Sequence, residues 1–185
     1  MADSPQFDVA VVGGGPAGLA AAWSAAGEGA RTLLLERAGV LGGNVSLAFV
    51  HTICGLYHAA EVGDAVIAHP GFPARFAAEL QRADAAGVPE RAGKVWFLPT
   101  DPARIPDVAA ELCAEQRELE VRFDCELTVV RLPASAADDF VLELAGGATA
   151  RARILLDTSG EAAAAAGPGS SREPPPRSRA GERCP

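Results

Sequence analysis

The feature that most constrains this sequence is a glycine-rich turn set between an apolar run and an Ala-rich segment. Residues 7–12 form a short β-branched run, which predicts a buried parallel strand. Gly13, Gly15 and Gly18 follow it with the spacing G-x-G-x-x-G, and residues 17–26 have the composition of a helix. A strand that enters a helix through such a turn is the first half of a βαβ unit.

The second half of that unit follows directly. Pro16 occupies a favourable first helical position, and residues 31–36 predict a second apolar strand that ends in an acidic residue, Glu36. This context makes the motif stronger evidence than an isolated glycine pattern would be. The alternative interpretation, an ordinary glycine-rich connection between a strand and a helix, accounts for the turn but not for Glu36.

Each residue type in the motif suits the binding of a dinucleotide. Gly13 permits a tight turn, Gly15 lets a pyrophosphate approach the backbone, and Gly18 lets the helix pack closely on the sheet. Backbone N–H groups at the helix start, near Ala17, are free to donate to the phosphate. The Glu36 carboxylate can accept hydrogen bonds from ribose hydroxyls and would repel a 2′-phosphate. The sequence therefore predicts a Rossmann-type nucleotide site.

The remaining chain predicts a mixed α/β protein. Two helical patterns are followed by strand patterns. Two of the short strands are separated by Gly146-Gly147, which predicts a small antiparallel meander. The expected helices cover residues 73–86 and about 101–118, and the expected strands cover residues 121–123, 127–132, 140–144, 148–153 and 154–156, the last one buried.

The charge of the chain limits its partners. A formal net charge of −8 disfavours nucleic acids and anionic membrane surfaces, so a bound phosphate has to be held by backbone N–H groups. No stretch approaches the roughly 18 apolar residues of a membrane span. The four cysteines are scattered, with no C-x-x-C pair, which predicts a reducing, cytoplasmic location. No signal peptide is expected from the N-terminal residues.

Two later segments favour FAD over NAD as the nucleotide. Gly42 and Gly43, followed by Asn44, form a second glycine pair soon after Arg37, where a dehydrogenase of this type would usually continue into a helix. Much later, the segment 157–160 (Asp-Thr-Ser-Gly) closes an apolar strand in a way that suits a return to the same nucleotide.

These segments resemble a known family. Residues 8–22, 33–44 and 51–57 look like the opening of the FAD-dependent oxidoreductases with a glutathione-reductase-type fold. Residues 154–161 are similar to that family's V-I-D-A-T-G-D segment, with Thr and Ser in place of Ala and Thr. The resemblance covers about residues 7–166 and implies an FAD-dependent enzyme of hydride or electron transfer, with a substrate that the sequence does not identify.

The resemblance also implies the cofactor contacts. The glycine turn would hold the pyrophosphate, and the acidic residue would bind the adenosine ribose. The chain near Leu127 would pass the adenine, and the second glycine pair would approach the ribityl side. The expected FAD-binding residues are Gly13, Gly15, Pro16, Ala17, Gly18, Glu36, Arg37, Gly42, Gly43, Asn44, Leu127, Ser159 and Gly160.

The resemblance predicts a domain order as well. We expect an FAD-binding segment over residues 1–60, part of a substrate domain over 61–105, and a return to the FAD-binding domain with the meander over 106–166. Residues 167–185 lack Val, Ile, Leu, Met and Phe, so a disordered tail is expected there. Because family members continue well beyond this length, we hypothesise a truncated or frameshifted reading frame and an incomplete second domain. Uncovered core surface would then favour self-association.

Three residues are candidates for chemistry. His51, Cys54 and Tyr57 form the densest reactive cluster, and the resemblance would place the last two toward the flavin or substrate. Packing around a cavity is the alternative role. No metal is expected, because no second ligand pair supports this cluster, and a redox disulfide is disfavoured because residues 44–50 contain no cysteine.

Two other functions stay open at this stage. One is a catalytically inactive dinucleotide-binding remnant, and the other is an NAD-dependent dehydrogenase. The segments after Glu36 and at 157–160 disfavour the dehydrogenase, whereas the missing C-terminal portion of the family pattern favours the remnant.

Overall fold

The computed structural model describes residues 4–59 and 63–164. Over these residues the chain forms nine strands and four helices. The strands are β1 (Gln6–Val12), β2 (Thr32–Leu35), β3 (Thr52–Cys54), β4 (Glu90–Ala92), β5 (Val95–Pro99), β6 (Leu119–Arg122), β7 (Leu127–Arg131), β8 (Phe140–Leu144) and β9 (Thr149–Asp157). The helices are α1 (Pro16–Gly27), α2 (Asn44–Leu47), α3 (Phe72–Arg82) and α4 (Ile105–Ala114). The expected tail, residues 167–185, lies outside the described residues.

The larger sheet has the strand order β6-β2-β1-β9-β8-β7. Its first four strands are parallel, and β1 lies between β2 and β9, with Val9 opposite Thr32 on one side and Ile154 on the other. β8 and β7 continue the sheet in antiparallel fashion. This arrangement confirms the predicted α/β class with a parallel sheet and a small meander, joined here through β9.

The core lies on both faces of the parallel strands. Val11 and Leu34 pack into a cluster with α1, α3 and α4 on one face. Val12, Leu33 and Leu142 belong to a second cluster, which β1 and β2 share with β8 and β9. The continuous apolar runs of β1 and β2 follow from this burial on two sides, because residues 9–12 of β1 and all of β2 are buried.

Several predicted boundaries are corrected by the structure. The first of the two predicted helices, expected over residues 73–86, is α3, which ends at Arg82 because Asp84 adopts a left-handed conformation with φ of 56°. The second begins at Ile105 and ends at Ala114, and Pro106 fits because the first helical turn needs no N–H donor there. The two strands expected over 148–156 are one continuous strand, β9.

The sequence patterns did not reveal the smaller sheet or α2. This sheet has the antiparallel order β3-β5-β4. β4 is exposed along its whole length, and β3 is only three residues long. Neither strand shows the apolar alternation by which a half-buried strand is recognised.

The end of β9 corrects another expectation. The segment 154–156 was predicted to be buried, yet Ile154 is 52% exposed and Leu156 is 37% exposed. Both residues are register partners of buried β1 residues, Val9 and Val11. The apolar surface of the sheet is therefore uncovered at this strand, within the part of the chain that the structure describes.

No helix in the described ranges is long and apolar enough to cross a membrane.

We expect the exposed end of β9 to promote self-association. Replacing Ile154 and Leu156 by Thr puts a β-branched residue, which suits a strand, at both positions and removes apolar surface, so the oligomeric fraction should fall. Sedimentation velocity over a range of concentrations measures this fraction. The matched control replaces Val88 and Val95, which are 73% and 50% exposed elsewhere, by Thr. If both double variants lowered the oligomeric fraction equally, the conclusion that the end of β9 drives self-association would be contradicted.

Candidate nucleotide-binding site

A cavity of about 330 Å³ opens where β1, β2 and β9 end. Ligands of open α/β sheets bind at this carboxyl edge of the strands, since the loops that follow the strands converge there. The cavity is lined by Val12, Gly13, Gly15, Pro16, Ala17, Leu35, Glu36, Arg37, Gly43, Asn44, Leu47, Cys125, Glu126, Leu127, Thr128, Thr158, Ser159, Gly160, Glu161 and Ala163.

The structure brings together segments that are far apart in the sequence. All the residues predicted to bind the cofactor line this cavity except Gly18 and Gly42. Gly18 is buried behind the turn, and Gly42 is buried beneath the second glycine pair. The binding roles of all these residues stay predictions, whereas their convergence is an observation.

The turn after β1 requires glycine for steric reasons. Gly13 has φ of +103°, and a Cβ atom there would lie 2.8 Å from the Thr158 carbonyl oxygen. A Cβ atom on Gly18 would lie 1.8 Å from the Gly13 carbonyl oxygen. By contrast, a Cβ atom on Gly15 would meet nothing closer than the Cα atom of Gly43, 3.9 Å away. The first and third glycines thus allow close packing, and the middle one leaves space in the cavity.

The start of α1 presents unpaired donors to this space. The backbone N–H groups of Gly15 and Ala17 have no acceptor within the described residues, and both residues line the cavity. Gly15 is the N-cap and provides no side-chain cap, Pro16 has no N–H, and the first turn contains no acidic residue. An anion is the natural partner of such a helix start, because the helix dipole favours negative charge there. The backbone therefore fits a pyrophosphate.

Glu36 holds two loops as well as lining the cavity. The residue is 7% exposed, and its carboxylate accepts hydrogen bonds from the Gly14 N–H, at 2.6 Å, and from the Ala38 N–H, at 2.8 Å. Each carboxylate oxygen has two lone pairs, so acceptor capacity remains for ribose hydroxyls. The sequence predicted an acceptor at this place but not the two backbone contacts.

The second glycine pair packs against the first turn. The Gly42 N–H donates to the Gly14 carbonyl at 2.9 Å, and a Cβ atom on Gly43 would lie 2.9 Å from the Cα atom of Gly15. A Cβ atom on Gly42 would lie 2.0 Å from the Ser46 hydroxyl oxygen. Close contact between two loops is thus the structural reason for the second glycine pair.

An ion pair crosses one side of the cavity. The Arg37 guanidinium donates to both carboxylate oxygens of Glu161, at 3.3 and 3.2 Å. The Arg37 side chain is exposed, so solvent weakens this attraction. The pair joins the segment after β2 to the segment after β9.

The loop after β9 is ordered by a short polar network. The Asp157 carboxylate accepts hydrogen bonds from the hydroxyl and N–H groups of Ser159 and from the Ala164 N–H. Burial alone would raise the pKa of Asp157, but these hydrogen bonds outweigh it and hold the pKa below its usual value. Ser159 and Gly160 reach the cavity from this loop.

Thr158 is the main site residue that the sequence patterns missed. Its N–H donates to the Val12 carbonyl at 2.9 Å, and its hydroxyl lies 2.8 Å from that carbonyl oxygen and 2.9 Å from the Gly13 carbonyl oxygen. Thr at this position of the segment 157–160 was visible in the sequence, but its partners are more than a hundred residues away. Cys125, Glu126, Leu47 and Glu161 also line the cavity without having been predicted.

The reactive cluster lies outside the cavity. His51 and Cys54 are exposed on and beside β3, whereas Tyr57 packs partly buried against the helical core, and burial raises its pKa. None of the three lines the cavity. Among the described residues, no group of three or more His, Cys, Asp or Glu side chains is placed to hold a metal ion.

The other two described cysteines behave as apolar side chains. Cys113 is buried on α4, where desolvation raises the pKa of its thiol to about 11. Cys125 is half-buried in the cavity wall, where burial raises the pKa of its thiol and nearby Arg122 partly opposes this rise. Neither thiol has the lowered pKa of a nucleophile.

Residues 8–182 match the family model of the FAD dependent oxidoreductases, and the chain belongs to this family. This membership confirms the predicted resemblance and FAD as the cofactor of the family. No curated protein matches the sequence.

Solved structures share the fold. The crystal structure of Thermovibrio ammonificans THI4 is similar with a TM-score of 0.55 and 17% identity, over 85% of this chain and 58% of that one. A cyclohexanone monooxygenase mutant from Rhodococcus sp. Phi1, bound to NADP+, has a TM-score of 0.54 and 15% identity, over 85% of this chain and 27% of that one. The chain thus spans little more than half of the first of these proteins and about a quarter of the second.

The glycine contacts predict opposite outcomes at two neighbouring positions. Gly18→Ala places a methyl group against the Gly13 backbone carbonyl, which cannot move aside, so the free energy of unfolding should fall by about 3 kcal/mol. Gly15→Ala meets only the Gly43 Cα atom, at an ordinary van der Waals distance of 3.9 Å, and should leave this free energy nearly unchanged. Urea unfolding followed by circular dichroism measures both values. Equal stability of the two variants would contradict the described packing of α1.

Proposed function

We propose that the cavity holds the adenosine and pyrophosphate portion of FAD in an oxidoreductase of unidentified substrate. The observation that carries this proposal is the pair of N–H donors at Gly15 and Ala17, which have no acceptor among the described residues and belong to residues that line the same cavity as Glu36. The donors suit two negatively charged phosphates, and the carboxylate suits ribose hydroxyls. Bound flavin would supply the chemistry of hydride and electron transfer.

The roles of the chain's own residues follow from their positions. Gly13, Gly15 and Ala17 would bind the pyrophosphate through close backbone approach, and Glu36 would accept hydrogen bonds from the ribose. Leu127, with Cys125 as its neighbour in the wall, would lie against the adenine. A bound cofactor would shield these hydrogen bonds from solvent, and this would strengthen each of them.

The second glycine pair would direct the cofactor onward. Gly43 and Asn44 line the cavity next to the turn, and Gly42 fixes them through its bond to Gly14. We propose that the ribityl side passes this segment and that Ser159 and Gly160 approach it from the opposite wall. Residues 61–105, together with the small sheet, would contribute to a substrate domain.

A second function, nucleotide binding without turnover, has one observation in its favour. His51, Cys54 and Tyr57, the predicted candidates for chemistry, all lie outside the cavity. Under this alternative the chain would keep FAD but reduce no dye when electron donors are supplied. Steady-state dye reduction separates the two functions, because both of them require FAD binding.

The bound nucleotide tests the proposal directly. We expect the protein to release FAD on denaturation, identified by mass spectrometry, and Gly15→Val to abolish binding while the fold persists. Valine would fill the space that the pyrophosphate needs. Gly27→Val is the matched control, because Gly27 is exposed at the far end of α1 and its Cβ atom would meet only the flexible Gln116 side chain, at 3.7 Å. NAD or FMN as the major nucleotide would contradict the proposal, as would retention of FAD by Gly15→Val.

Glu36→Gln should weaken both the fold and FAD binding. The amide can accept from one of the two backbone N–H groups but turns its own NH₂ toward the other, which leaves a buried donor unpaired. This costs about 2 kcal/mol of unfolding free energy, and FAD affinity should fall about tenfold. Thermal unfolding and fluorescence titration with FAD measure the two effects. Glu28→Gln, on the exposed end of α1, is the control, and if Glu36→Gln behaved like it, the contacts of Glu36 would be assigned wrongly.

A further inference from the structure

One peptide group in the glycine turn is held at both of its ends. The peptide bond between Gly13 and Gly14 places the Gly13 carbonyl at one end of a rigid plane and the Gly14 N–H at the other. The Thr158 hydroxyl lies 2.9 Å from this carbonyl oxygen, and the Glu36 carboxylate oxygen lies 2.6 Å from this nitrogen. The two residues that hold it directly follow β9 and β2, which lie on opposite sides of β1.

This double contact matters because glycine gives the turn little stiffness of its own. A peptide group between two glycines can rotate about its flanking bonds at low steric cost. Unless the bonds of Gly14 compensate for it, a rotation of this plane also changes the direction of the next N–H group. That group belongs to Gly15, which lines the cavity and whose N–H has no acceptor among the described residues. Planarity then couples the two contacts, since a plane fixed at its carbonyl end is also fixed at its N–H end.

We propose that Thr158 is a positioning residue, whose hydroxyl fixes the Gly13–Gly14 peptide plane so that the N–H groups beyond it point into the cavity. The inference rests on the proposed FAD site and adds a residue from the far end of the chain to it. A Cβ atom on Gly18 would lie 2.7 Å from the Thr158 hydroxyl oxygen, so this hydroxyl sits at the junction of β1, α1 and β9. The family segment that residues 154–161 resemble has Ala in this place, which lacks the hydroxyl.

The hydroxyl has one proton and two carbonyl oxygens within reach, Val12 at 2.8 Å and Gly13 at 2.9 Å. The Val12 carbonyl already accepts from the Thr158 N–H, whereas in the described residues the Gly13 carbonyl accepts only from this hydroxyl. Loss of the hydroxyl therefore deprives the Gly13 carbonyl of its partner and leaves the strand pairing between β1 and β9 in place. This separates a positioning role from a general role in holding β9.

The experiment compares Thr158→Val, which keeps the shape and removes the hydroxyl, with Thr158→Ser, which keeps the hydroxyl. Thr149→Val is the matched control, because Thr149 lies at the other end of β9 and its hydroxyl also has a partner, Ser4, at 2.6 Å. FAD affinity is measured by fluorescence titration. Amide hydrogen exchange of Gly14 and Gly15 is measured by NMR on the cofactor-free protein, and thermal unfolding reports the fold of each variant.

We expect Thr158→Val to weaken FAD binding about fivefold, the effect of one net hydrogen bond, and to speed exchange of the Gly14 amide about tenfold. Thr158→Ser and Thr149→Val should stay within about twofold of the parent in both measurements. The inference is overturned if Thr158→Val matches Thr149→Val, or if Thr158→Ser is as impaired as Thr158→Val. A parent protein that binds no FAD would refute the proposed function alone, since amide exchange would still decide whether the hydroxyl fixes the peptide. If Thr158→Val failed to fold, Thr158→Ala would replace it in the same comparison.

Discussion

The structure depends above all on how closely the turn after β1 approaches its neighbours. Gly13 lies against the backbone at Thr158, Gly18 lies against the Gly13 carbonyl, and Gly43 lies against Gly15. At each contact even one added carbon would meet a backbone atom or a short side chain at less than the usual contact distance. Three loops, after β1, β2 and β9, can therefore meet at one edge of the sheet only because these positions have no side chain. The cavity is the space that this packing leaves open.

The same loops are held by polar contacts that cross the sheet. Glu36, at the end of β2, reaches the loop after β1, and Thr158, at the end of β9, reaches the same loop from the other side. A buried carboxylate without partners would be costly, so the two N–H bonds to Glu36 are a condition of its burial. Once these bonds form, the backbone of the turn is held in place before any ligand binds. Preorganisation of this kind lowers the ordering cost of binding.

The apolar core covers the strands next to this edge of the sheet, but it leaves the end of β9 exposed. β1 and β2 are covered on both faces, by the helices and by the meander. β9 shares the meander cluster through Ala150 and Ala152, but Ile154 and Leu156 have no equivalent cover among the described residues. The site therefore lies next to a buried core on the β2 side and next to a more exposed surface on the β9 side. The contacts of Thr158 join the end of β9 to β1, which belongs to the buried core.

The sequence by itself determined the βαβ unit and the class of fold, because these depend on local patterns. The glycine turn and Glu36 followed from the same patterns, whereas the other predicted residues of the cavity wall came from the resemblance to the family. A strand, a glycine turn and a helix follow one another within a few residues, and Glu36 closes the next strand. Only the tertiary structure decided which distant residues complete the site. Thr158 and Cys125 reach the cavity through the pairing of β9 with β1 and the path of the chain before β7, and no local pattern encodes such pairing. The exposed strands of the small sheet and the uncovered end of β9 could not be predicted from the sequence either. Burial depends on what packs against a strand and not on the strand alone.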